Sequence, residues 1–74
     1  MSPAGNKNNI ANKLRVVRTE KRLTQEMLGE MVGLTRQSII AIEKGRFTPS
    51  IHTALILARA LETPIEELFW LQNE

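Results

Sequence analysis

The stretch Gln25–Lys44, QEMLGEMVGLTRQSIIAIEK, decides how this chain is read. Thr24 stands ahead of it as an N-cap, and Met27, Leu28, Met31 and Val32 give a helix over about 25–32. Gly33 ends that helix as a residue that tolerates positive φ. Thr35 caps a second helix over about 36–44, with Ile39 and Ile42 on its inward side, and Gly45 stops it. Two helices joined by about three residues must cross steeply, so their backbones come close near the middle of the first. Gly29 supplies a residue with no side chain there. A mid-helix glycine costs roughly 1 kcal/mol against alanine, so a packing reason is expected. Leu28, Val32, Leu34, Ile39 and Ile42 are spaced to fill the wedge between the two helices. The outward positions of the second helix are then Arg36, Gln37, Ile40 and Ala41, the side chains that a groove-inserted helix presents.

Working outward, a first helix starts between Asn9 and Asn12, either of which is a capping residue, and runs to about Lys21 with Leu14 and Val17 inward. Residues 1–8, MSPAGNKN, are small and polar and are broken by Pro3 and Gly5, the composition of a flexible arm. After a loop over 46–49, Ser50 caps a fourth helix over about 51–61. Its expected buried stripe is Ile51, Ala54, Leu55, Ala58 and Leu61, with Leu57 beside it. Thr63-Pro64-Ile65-Glu66 combines a capping Thr, a Pro at the first helical position and a Glu three residues after the cap. A fifth helix therefore begins at Pro64 and carries Ile65, Leu68 and Phe69. No stretch alternates with period two strongly enough to be read as a strand. The expectation is an all-α, five-helix fold, with residues 9–74 as one domain.

A chain of 74 residues makes one small domain that buries only about 60% of its unfolded surface. It has no cysteine for a disulfide, which also fits a reducing compartment, so self-association is the cheap remaining source of stability. Residues 1–50 hold nine Lys/Arg against four Asp/Glu, whereas residues 51–74 hold one Arg against four Glu. The basic part contains the two-helix motif and suits a polyanion. No apolar stretch is long enough for a membrane, and none resembles a signal peptide. An enzyme is disfavoured, with no catalytic residue proposed. His52 is the single histidine and is expected to be exposed, there is neither Cys nor Tyr, and no glycine-rich phosphate loop follows a strand. No metal site, cofactor or small-molecule ligand is expected. Met27 and Met31 at helical spacing are read as core.

The pieces LRVVR, LTQEMLGEMVGL, TRQSI, IEKGRFTPS, ALILARAL and TPIEELF, between Leu14 and about Phe69, resemble the Cro/λ-repressor-type (XRE) helix-turn-helix family, in its small stand-alone dimeric form. The resemblance implies a λ-repressor-like five-helix fold. It also implies a sequence-specific regulator of transcription, read as a repressor, that binds double-stranded DNA. Carried over residue by residue, it puts Gln25 at the helix N-terminus facing a phosphate, although a plain N-terminal polar residue would look the same. Thr35 caps and contacts phosphate. Arg36 and Gln37 read base edges, Arg matching guanine O6 and N7 and Gln matching adenine N6 and N7, with a phosphate contact as the alternative for Arg36. Ile40 reaches a thymine methyl, Ala41 also faces the bases, and Ser38 is a weaker backbone contact. Lys44 and Arg46 lie against the sugar-phosphate chain, the alternative being that they are ordinary partners of the helix dipole. Arg18 and Glu43 form an ion pair joining the first helix to the third.

Val16 and Ile56 are apolar where the family is polar, and Ile56 is assigned to an interface. In Leu68-Phe69-Trp70-Leu71, Phe69 is read mainly as core. Trp70 and Leu71 are read as anchors of a dimerisation segment over 64–72, the alternative being a tail folded back over helices 1 and 5. The resemblance also allows residues near 69–71 to pair as a short strand with residues near 9–11. A homodimer would read a palindromic operator with half-sites about 34 Å apart. The implied location is the cytoplasm of a prokaryotic or phage-type system, on the nucleoid when bound. The competing reading is an antitoxin-like interaction module that binds a protein first and DNA second.

Overall fold

A computed structural model describes residues 9–72. Its elements run β1 (Asn9–Asn12), α1 (Leu14–Glu20), α2 (Gln25–Val32), α3 (Arg36–Glu43), α4 (Ile51–Ala60), α5 (Ile65–Leu68) and β2 (Phe69–Gln72). The fold is five helices with one two-stranded antiparallel sheet. The arm expected over residues 1–8 lies outside the described residues.

The core is one cluster of Leu14, Val17, Leu28, Ile39, Ile42, Leu57, Ala58, Leu61 and Leu68, drawn from all five helical segments. Leu23, Val32, Leu34, Ile65 and Phe69 pack around it. Three helix starts follow the sequence signals. The hydroxyls of Thr24, Thr35 and Ser50 accept the amides of Met27, Ser38 and Thr53 at 3.0, 3.0 and 3.1 Å. Gly33 and Gly45 take φ of 77° and 74°, the left-handed turns expected of them.

Several expectations are corrected. α1 begins at Leu14, not between Asn9 and Asn12, because that segment is held as a strand. Asn9 pairs with Gln72, Ile10 with Leu71, Ala11 with Trp70 and Asn12 with Phe69. Asn12 still serves the helix start: its Oδ1 accepts the Leu14 amide at 2.9 Å, while its Nδ2 donates to the Ile42 carbonyl at 3.0 Å. Thr63 does not cap α5. Its hydroxyl donates back to the Leu61 carbonyl, and the helix starts one residue later than expected, at Ile65. The buried stripe of α4 is Ala54, Leu57, Ala58 and Leu61, so Ile51 and Leu55 are 77% and 51% exposed. Met27 and Met31 are likewise 45% and 53% exposed, because α2 turns Leu28 and Gly29 inward.

Candidate nucleic-acid interface

The angle between α2 and α3 rests on one close approach. A Cβ on Gly29 would lie 2.5 Å from the carbonyl oxygen of Leu34, so α2 packs directly on the turn that leads into α3. The Leu34 amide donates to the Gly29 carbonyl at 2.8 Å and closes that turn. Ile39 and Ile42 are fully buried and seat α3 on the core.

A second device holds the far end of α3. Arg18 is 8% exposed, and its Nε donates to Glu43 Oε2 at 2.6 Å. Its Nη2 donates to Glu43 Oε1 at 3.4 Å and its Nη1 to the Leu23 carbonyl at 2.8 Å. Gln25 joins the same group through Nε2, which donates to Glu43 Oε1 at 3.1 Å. One carboxylate thus gathers α1, the start of α2 and the end of α3. Gln25, expected to face a phosphate, has its amide engaged with Glu43 in the free protein.

This network floors an open cleft of about 760 Å³. One side is formed by Arg15, Arg18 and Thr19 of α1, the turn Arg22–Thr24 and the first residues of α2. The other is formed by Arg36, Ile40 and Glu43 of α3 and by Lys44, which caps its end. Arg36, Ile40 and Lys44 repeat at four-residue spacing and so share one flank of the helix. Ile40 is half-buried there rather than fully outward. Gln37 is exposed and Ala41 half-buried, and neither lines the cleft. Thr35 and Ser38 are tied to each other, the Thr35 hydroxyl donating to Ser38 Oγ at 3.0 Å. Arg46 is exposed just beyond Gly45, its amide bonded to the Ala41 carbonyl.

Because Arg18 and Glu43 neutralise each other, the charge presented at the cleft is that of Arg15, Arg22, Arg36 and Lys44 against Glu26. Residues Arg15 and Arg22 were not singled out from the sequence. Arg15 lies within the LRVVR piece without an assigned role and Arg22 belongs to no quoted piece; only the folded α1 and its following turn bring them beside α3. Glu26 lies in the first turn of α2, where a carboxylate is favoured by the helix dipole.

A helix-turn-helix family model matches residues 14–68, from the first residue of α1 to the last of α5. The chain belongs to the XRE-type helix-turn-helix family of DNA-binding transcriptional regulators. A relative from Bacillus subtilis (strain 168), the uncharacterized HTH-type transcriptional regulator YgzD, is 44% identical over 65 residues, covering 88% of this chain and 98% of the relative. An uncharacterized HTH-type transcriptional regulator of Methanothermobacter thermautotrophicus is 52% identical over 62 residues, covering 82% and 90%. Among solved structures, the restriction-modification controller protein C.AhdI from Aeromonas hydrophila superposes with a TM-score of 0.69 at 39% identity, over 73% of this chain and 82% of that one. Among the described residues no group of three or more acidic or histidine side chains is placed to hold a metal ion, and no helix is long and apolar enough to cross a membrane.

The apolar tail differs in burial along β2. Phe69 is half-buried against the core, while Trp70 and Leu71 are exposed. Ile56 is half-buried on α4. Phe47 is also half exposed, in the loop between α3 and α4, and was not anticipated from the sequence.

Proposed function

We propose that this regulator represses transcription by binding an approximately palindromic operator as a homodimer, with α3 of each copy in a major groove. The observation that carries this is the mounting of a short helix whose Arg36–Gln37 start is exposed and forms no ion pair among the described residues. Gly29 fixes one end of its approach, and the Arg18–Glu43–Gln25 group fixes the other. Arg36 and Gln37 read base edges, and Ile40 and Ala41 supply apolar contact. Thr35, Ser38, Lys44 and Arg46 meet the sugar-phosphate chain. Gln25 does so as well, when a phosphate oxygen accepts from its second amide hydrogen. These phosphate contacts set register without reading sequence.

Residues 9–74 form the working unit, with 64–72 as its dimerisation segment. Trp70 and Leu71 are its exposed anchors, and Phe69 and Ile56 are assigned to the same interface. Exposed aromatics of this kind are typical of interface centres. Two copies related by a two-fold axis would place their α3 helices about 34 Å apart, one turn of duplex. Such a dimer blocks a promoter by occupying it, in the cytoplasm of a prokaryotic or phage-type system.

The test is Arg36→Ala, measured at a selected operator and at random duplex. The variant is expected to lose about 1–3 kcal/mol at the operator and to relax preference at one base position. Equal weakening at both duplexes would make Arg36 a phosphate contact and overturn its assignment as a reader.

A further inference from the structure

The turn between α1 and α2 carries a residue in an unexpected backbone state. Arg22 has φ of 60°, in the left-handed region that side-chain-bearing residues seldom occupy. Its amide donates to the Thr19 carbonyl at 2.9 Å, and the next amide, that of Leu23, donates to the Arg18 carbonyl at 3.2 Å. The Leu23 carbonyl in turn accepts from Arg18 Nη1, and the Leu23 side chain packs on the core. The turn is therefore pinned on both sides of Arg22 to the same buried pair that holds α3. Arg22 itself is exposed, lines the cleft across from Arg36 and Lys44, and forms no ion pair among the described residues.

A second helix end in the chain makes the same turn. Glu62 has φ of 53°, its amide donates to the Arg59 carbonyl at 3.1 Å, and the Thr63 amide donates to the Ala58 carbonyl at 3.0 Å. Glu62 belongs to the acidic part of the chain and is not among the cleft residues. The two sites share one backbone geometry and differ in what the side chain faces.

We propose that Arg22 is a DNA-binding residue: it holds a backbone phosphate of the duplex from the α1–α2 side of the cleft, while Arg36 and Lys44 approach from α3. This rests on the reading of the cleft as the DNA face. The guanidinium is suited to the role, because its planar fork bonds two phosphate oxygens at once. Its fixed turn means that little backbone freedom is lost on binding.

Arg22→Gly and Glu62→Gly are compared with the parent chain, each titrated with a short mixed-sequence duplex over a range of salt concentrations. Glycine fits both left-handed positions, so neither variant is expected to lower the thermal midpoint. Arg22→Gly is expected to weaken binding roughly tenfold near 0.1 M salt and to reduce the salt slope by about one. Glu62→Gly is expected to bind as the parent does, and Arg22→Lys to keep the parent's slope. Equal affinity and slope for Arg22→Gly and the parent would overturn the assignment while leaving the DNA reading intact. Failure of the parent itself to bind duplex would overturn both.

Discussion

Gly29 lies mid-helix, where glycine is the costliest ordinary residue, yet its α-hydrogen faces the Leu34 carbonyl at a distance no Cβ tolerates. Gly29→Ala should therefore reverse the usual sign. Alanine gains about 1 kcal/mol of helix propensity, but the clash is with backbone, and overpacking of this kind costs about 1–3 kcal/mol. The expected outcome is a net loss of stability in urea unfolding together with weaker DNA binding. A more stable variant would show that α2 and the turn can separate without cost. This residue was legible in the sequence because a steep crossing demands a small side chain. The role of Asn12 was not. Asn12 was expected only as a cap, whereas its bond across to Ile42 goes with a strand pairing residues about sixty positions apart, which the family resemblance allowed but no local pattern announces.

At the scale of elements, the angle of α3 depends on the buried Arg18–Glu43 pair, whose side chains are 10% and 5% exposed. Removing one partner from such a pair strands the other charge. Arg18→Met is therefore expected to cost about 3–5 kcal/mol, and Arg18→Met with Glu43→Leu to recover most of it. Chemical denaturation of both variants checks this, and equal losses in the two would mean that the pair contributes only through packing. The helices themselves were readable wherever a cap and a stop bracket an apolar stripe, as in α2 and α3. Their rotation was less so. In α4, Ile51, Leu55, Ile56 and Leu57 are all apolar, so more than one stripe satisfies helical spacing. Ala54 and Ala58 are small enough for close packing beside Leu57 and Leu61, and the helix settles there. In α2, the neighbouring pairs Met27/Met31 and Leu28/Val32 posed the same ambiguity, and the core took the second pair as its closer contacts. Gln25 was assigned a phosphate contact from the family resemblance, but its bond to Glu43 joins the start of one helix to the end of another, which spacing along the chain does not reveal.

For the whole molecule, charge is divided unevenly along the chain. The basic first fifty residues build the cleft with Arg15, Arg22, Arg36 and Lys44, while the acidic remainder ends in the Trp70–Leu71 tail. In the proposed function, the cleft meets the polyanion and the Trp70–Leu71 tail meets a second copy. A single domain reads few base pairs, so specificity useful in a genome calls for two. Selection of bound sequences from a random duplex pool tests this most directly. The expected result is enrichment of an inverted repeat with half-sites one helical turn apart. Failure to enrich any sequence would contradict the assignment of α3 as a reader of DNA.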